Sequence, residues 1–188
     1  MIQLLSFDIG IKNMAYCFSI CGNNDNENDF RIMNLNKIDL NTNKNNIQSI
    51  IDNTIDFLDD IMNTLEIDIN SKLIVLIECQ MTSIMRTIQT CINSYFKIIS
   101  KHDNIDIETI YVSPKHKLKI MDVYSDTIMK DKYKQNKFDS IFYSKYLLTT
   151  TFKNDKILEI INTEKKKDDL CDAFLMCIYY YSQIYKKI

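Results

Sequence analysis

Apolar and polar positions along this chain alternate between two spacings, the period of two expected of strands and the three-to-four spacing expected of helices. Residues 2–9 form a short, mostly apolar run that meets a turn at Asp8-Ile9-Gly10, as a buried strand would. Residues 14–21 (MAYCFSIC) are a second β-prone run, and the Asn- and Asp-rich stretch 22–29 reads as a hairpin loop. Over 30–40 apolar and polar residues alternate as on a half-exposed strand, so the chain is expected to open with a three-stranded antiparallel meander.

The polar segment 41–46 leads into Ile47, Ile50, Ile51, Ile55, Leu58, Ile61, Met62 and Leu65, whose intervals place one apolar stripe on a helix. Residues 72–78 (KLIVLIE) are continuously apolar up to their last position, the signature of a central strand covered on both faces. Helical spacing returns from 80 to 101 through Met81, Ile84, Ile88, Ile92 and Phe96, and a strand over 107–112 stops at Ser113-Pro114. The remainder predicts helices over roughly 115–130, 136–150 and 166–187, joined by polar turns. The order β-β-β-α-β-α-β-α-α-α is that of a ribonuclease-H-like α/β fold: a mixed five-stranded sheet, antiparallel meander plus parallel strands, with helices on both faces. No repeat or linker divides the sequence, so residues 1–188 are expected to form a single domain.

Composition narrows the options. At 188 residues and 46% hydrophobic content the chain can bury a sizeable core. No window approaches the roughly 18 uninterrupted apolar residues of a membrane span. The start, MIQLLSFDIG, lacks a basic leader and carries Asp8, so it reads as a strand and not as a signal peptide. The six cysteines include no C-x-x-C pair, and His102 and His116 do not complete a zinc pattern, so free thiols in a reducing compartment are expected. Net charge is −2, which by itself argues mildly against a nucleic-acid partner, but its distribution is uneven. Residues 1–110 carry 8 Lys and Arg against 15 Asp and Glu, whereas residues 111–188 carry 15 against 10. Lysines cluster at 115–119, 130–137 and 165–167, enough for a local phosphate-binding face if they are not simply solvating helices.

Four acids stand out. Asp8 ends the first strand and Glu78 ends the apolar strand 72–78, so parallel neighbouring strands would release both at one sheet edge. A strand-end carboxylate facing water, or capping a helix near Thr82–Ser83, accounts for either acid alone. In the run Lys165-Lys166-Lys167-Asp168-Asp169-Leu170-Cys171-Asp172, Asp169 and Asp172 are three apart and share one face of the last helix, beside apolar neighbours. Asp168 reads as the helix cap, which explains one acid but not a second on the inward side. All-oxygen ligands converging from two strands and a helix suit Mg²⁺ or Mn²⁺ and not zinc. Two such ions about 4 Å apart can activate water and stabilise the leaving oxygen in phosphodiester hydrolysis. No Gly-rich phosphate loop is present, so no nucleotide cofactor is expected.

The stretch Asp8-Ile9-Gly10-Ile11-Lys12-Asn13-Met14-Ala15 resembles the D-x-G-x-x-N-x-A opening of RuvC-like Holliday-junction resolvases from poxviruses and fungal mitochondria. Ile77-Glu78-Cys79-Gln80 is similar to their apolar strand ending in E-x-Q, Val112-Ser113-Pro114 to the strand end before their basic segment, and Lys167 to Phe174 to the acidic start of their last helix. The motifs occur in order and span essentially the whole chain. The resemblance implies a divalent-metal-dependent endonuclease with Asp8, Glu78, Asp169 and Asp172 as catalytic metal ligands. It further implies a homodimer that cuts paired strands of a four-way DNA junction, with no membrane partner, and, in poxviruses, resolution of replicated concatemers in the host cytoplasm. The family also uses a lysine ahead of the last motif to stabilise developing phosphorane charge. Lys137 fits that role best, with Lys117 and Lys119 as rivals. The apolar stripe within 81–99 offers a dimer face, although core packing explains it equally well. Two other readings remain: a less selective ribonuclease-H-like nuclease using the same acids, and a catalytically silent DNA-binding module.

Overall fold

A computed structural model of the chain describes residues 1–22, 30–40 and 46–185. The loop expected over 22–29, beyond its first residue, and the lead-in at 41–45 lie outside the described residues. Strands β1 (Ile2–Asp8), β2 (Met14–Cys21) and β3 (Phe30–Ile38) form the expected antiparallel meander. Helix α1 (Ile47–Thr64), strand β4 (Lys72–Glu78), helix α2 (Ser83–His102) and strand β5 (Ile107–Val112) follow. The sheet is five-stranded in the order β3-β2-β1-β4-β5, with β1–β4 and β4–β5 parallel. Helices α3 (Lys132–Thr150), α4 (Asp155–Thr163) and α5 (Lys167–Tyr185) complete the chain. Among the described residues no helix is long and apolar enough to cross a membrane.

Each sheet face carries its own core, because successive side chains of a strand point to opposite sides. Leu5, Phe7, Leu73, Val75 and Ile77 pack with Phe57, Leu58 and Ile61 of α1 and Ile88, Ile92 and Phe96 of α2. Leu4, Cys17, Ile74 and Leu76 pack on the other side with Tyr143 and Leu147 of α3, Ile157 and Ile161 of α4, and Phe174 and Ile178 of α5. Strand β2 is buried at every position and β4 at all but its first, as central strands should be. Ile88, Ile92 and Phe96 of α2 are consumed by this core, while Ile98 on the same helix stays 66% exposed and Ile84, Met85 and Tyr95 are only partly buried.

The helix string matches the expectation, but its members do not all fall where the sequence places them. Residues 115–130 are not helical. Successive turns run through His116 N–H to Ser113 O at 2.9 Å and Lys119 N–H to His116 O at 3.0 Å, and irregular chain follows to Asp131. A helix there would have needed a partner for Tyr124 and Ile128, which are 75% and 93% exposed. Helix α3 begins four residues earlier than expected, because the Asp131 side chain caps it, accepting from the amides of Tyr133 and Lys134 at 2.8 and 3.3 Å. Helix α4 was hidden between polar turns. Its signal is the Asn154 cap, accepting from Ile157 N–H at 3.1 Å, followed by buried Ile157 and Ile161 four apart. Lys153 turns the chain between α3 and α4 in the left-handed region, at φ 48°.

Candidate active site

Register places the first two acids side by side. Parallel pairing of β1 with β4 runs from Ile2 opposite Lys72 to Phe7 opposite Ile77, so Asp8 and Glu78 emerge one step beyond, at the same edge. The chain then turns through Gly10, where a Cβ would lie 2.8 Å from the Asn13 carbonyl oxygen, so only glycine permits that closure. The third element is seated from the centre of the sheet. Ser6, buried in β1, donates to the Ala173 carbonyl oxygen at 2.6 Å, and the Cys177 thiol reaches Ser6 Oγ at 3.2 Å. These bonds lock α5 across β1 and carry its first turns, with Asp169 and Asp172, over the edge where Asp8 and Glu78 end.

The result is a cleft of about 430 Å³ lined by Asp8, Glu78, Lys117, Lys137, Asp169 and Asp172, among others. Every acid singled out in the sequence faces it. Gln80 Nε2 donates to Glu78 Oε2 at 2.7 Å while the Gln80 amide donates to Gln89 Oε1 at 2.8 Å, which gives the E-x-Q pattern a physical purpose: the glutamine orients the glutamate. Ser140 of α3 donates to Asp172 Oδ1 at 2.5 Å. The ammonium of Lys117 donates to Glu78 Oε1 at 3.1 Å and also to Asp172 Oδ2. Lys117 is only 8% exposed and Glu78 7%, so this bridge lies inside the protein. Lys137 stands at the other side of the cleft, bonded to Asp168, with its ammonium 4.9 Å from the Tyr133 ring centre. Lys119 is exposed and does not line the cleft. Asp168 is therefore not the helix cap expected from sequence: α5 begins at Lys167, and Asp168 is in its first turn, paired with Lys137. Sequence reasoning also gave no hint of Ser6 or Ser140, because neither belongs to a motif; only the fold brings them to the site.

Electrostatics follow from this crowding. Burial, then the charge of Glu78, pushes the Asp8 carboxyl well above its usual range. Burial also raises Asp172, against the opposing pull of Lys117. Asp169 is pushed up to about 6 by burial and by the neighbouring Asp168 charge. Burial tends to lower the Lys117 ammonium, but the charges of Asp172, Glu78 and Asp8 outweigh it and hold the group above the usual lysine value. A folded-state pKa raised above the ordinary 3.8 means that native Asp169 keeps a proton that the unfolded chain has lost. Stability of the metal-free protein should therefore fall as pH rises from about 3.8 to about 6, with Asp8 and Asp172 contributing in the same sense. Thermal midpoints in EDTA across that window should show the decline, and Asp169→Asn should flatten it. A midpoint that rose through the window equally in both proteins would contradict the assignment.

Among the described residues, no three acidic, thiol or imidazole side chains are spaced so as to hold a metal ion. The Lys117 ammonium bridges Glu78 and Asp172 instead. The donor chemistry nevertheless fits a hard divalent cation. The candidate ligands are all carboxylates on one cleft, and Asp169 Oδ2 is buried there without a hydrogen-bond partner.

No protein-family model matches the chain. An uncharacterised protein of Acanthamoeba polyphaga mimivirus is 35% identical over 113 residues, covering 55% of this chain and 26% of its own, so the chain spans about a quarter of that relative's length. Among solved structures, the fowlpox virus resolvase, crystallised with substrate Holliday junction DNA, superposes with a TM-score of 0.61 at 20% identity over 97% of this chain and 98% of that one. RuvC from T. thermophilus, in complex with a Holliday junction substrate, gives a TM-score of 0.54 at 7% identity over 97% and 96% of the two chains. Agreement along the full length at such low identity speaks to architecture, and with the strand order and the site at the β1–β4 edge it settles what the architecture is: this chain has the ribonuclease-H-like fold of the RuvC-type Holliday-junction resolvases.

Proposed function

We propose that this chain is a structure-selective endodeoxyribonuclease that resolves four-way DNA junctions by divalent-metal-dependent phosphodiester hydrolysis. The observation that carries the reading is the convergence of Asp8, Glu78, Asp169 and Asp172 on one open cleft that also holds two lysines. Two proteins with this fold were solved on Holliday junctions, which favours branched DNA over other phosphodiesters. The carboxylates would hold Mg²⁺, or Mn²⁺ in its place, as two ions per site. Such ions, when bound, lower the pKa of attacking water and stabilise the departing oxygen. The protein's own groups prepare the site: Gln80 fixes Glu78, Ser140 fixes Asp172, and Lys137 places positive charge at the cleft wall. Lys115, Lys119, Lys130, Lys132 and Lys134 are exposed on the chain between β5 and the start of α3, where they can meet phosphates without reading sequence.

Paired cuts across a junction require two sites related by an approximate two-fold, so the working unit is a homodimer. The exposed part of the 81–99 stripe, such as Met81, is its candidate contact. The mimivirus relative favours a viral setting, in which junction cutting would serve concatemer resolution at cytoplasmic replication sites.

The test is cleavage of labelled four-way junction, linear duplex of equal length and RNA–DNA hybrid, each with Mg²⁺ and with Mn²⁺. Rapid paired cutting of the junction alone is expected. Equal rates on junction and duplex would leave a general metal-dependent nuclease. Binding without cutting under either metal would leave a silent DNA-binding module.

A further inference from the structure

We infer that Lys117 is a tethered counter-cation of the carboxylate cluster, occupying the place of a divalent metal until the metal displaces it. This rests on the metal-dependent reading of the site. The geometry is specific. One ammonium donates to carboxylates from two different elements, Glu78 at the end of β4 and Asp172 in α5, while Asp8 lies close enough to influence it. The lysine comes from a third element, the turn after Pro114, and has almost no solvent contact. A buried ammonium needs close anionic partners, and buried like-charged carboxylates need a cation between them, so each stabilises the other in the metal-free protein.

The same contacts exclude a divalent ion from Glu78 and Asp172. Two cations cannot share those oxygens at contact distance, because their repulsion in a poorly screened site is large. Metal entry therefore requires the ammonium to leave. The lysine stem is four flexible methylenes on a backbone pinned by Ser113–His116 and His116–Lys119 turns, and the adjoining cleft of about 430 Å³ gives it room to swing. Lys117 thus sets metal affinity: it protects the folded apo-protein from carboxylate repulsion and weakens cation binding by the free energy of its own displacement.

Two measurements test this. In the first, Mn²⁺ is titrated into wild type and Lys117→Met, with free Mn²⁺ followed by electron paramagnetic resonance. Removing the competitor should tighten binding at least about tenfold, the size of a typical coupling between sites. Unchanged or weaker binding by the variant overturns the inference and leaves the nuclease reading intact, whereas absence of Mn²⁺ binding by both proteins overturns the two together. The second measurement needs no variant and so survives a folding failure. Wild type is acetylated briefly with acetic anhydride and the lysines are read by mass spectrometry. Lys117 should be protected in EDTA and labelled several-fold more at saturating Mg²⁺, while exposed lysines such as Lys119 label equally in both. Equal labelling of Lys117 under the two conditions overturns the inference.

Discussion

Asp172→Asn should bind a labelled four-way junction almost as well as wild type and cut it at least about 10³-fold more slowly, a loss of roughly 4 kcal/mol of transition-state stabilisation. The substitution keeps shape and volume but removes the charge that meets Lys117 and is fixed by Ser140. Binding should persist because phosphate contacts come from exposed lysines remote from this oxygen. Asp169→Asn should behave alike, since its buried Oδ2 has no other partner. Asp168→Asn is the informative control. Asp168 pairs with Lys137, so cleavage should continue at a rate lowered no further than in Lys137→Ala. Gel-shift and single-turnover assays on the same junction separate binding from cutting. Undiminished cleavage by Asp172→Asn would remove it from the metal site.

Lys137→Ala should lower the single-turnover cutting rate about 10²-fold while weakening junction binding far less. Its ammonium lies on the cleft wall, held by Asp168 and set beside the Tyr133 ring, so it is positioned before substrate arrives. Asp168 also holds its pKa up, against the lowering effect of burial, and a positive charge is therefore maintained at any working pH. A preplaced charge acts on the charge that develops during reaction, and such groups affect rate more than affinity. Lys137→Arg should recover part of the rate, limited by the different shape and reach of the guanidinium. Equal losses in rate and binding would instead make Lys137 an ordinary phosphate contact. Lys117→Ala provides the contrast, because its effect should depend on metal concentration whereas that of Lys137→Ala should not.

Much of the fold was legible because central strands and amphipathic helices leave strong periodic marks. The apolar run of β4 broken only by Glu78, and the meander ahead of it, fixed the sheet and the edge at which the acids emerge. The segment 115–130 was misread because Pro114 and scattered apolar residues imitate a helix start, although Tyr124 and Ile128 never find a partner face. Helix α4 was missed because nine residues give barely two turns of periodicity. At the site, carboxylates could be named from sequence because acids at the ends of buried elements are costly without a purpose. Lysines could not be ranked the same way. Whether Lys117 or Lys137 meets which acid depends on a loop conformation and a helix start that periodicity does not encode, and the structure divides them between Glu78–Asp172 and Asp168.

The hydrogen bond from Ser6 to Ala173 joins positions 167 residues apart. Contacts of such separation are slow to form, because loop closure must precede any reward. During synthesis the strand carrying Asp8 leaves the ribosome long before the helix carrying Asp169 and Asp172. A nascent or prematurely terminated chain therefore has only half of the acid cluster, and it bares the sheet face of Leu4, Cys17, Ile74 and Leu76 that α5 would cover. Under the proposed function such a product would be sticky and inert, its apolar surface open to aggregation before any DNA-cutting centre exists.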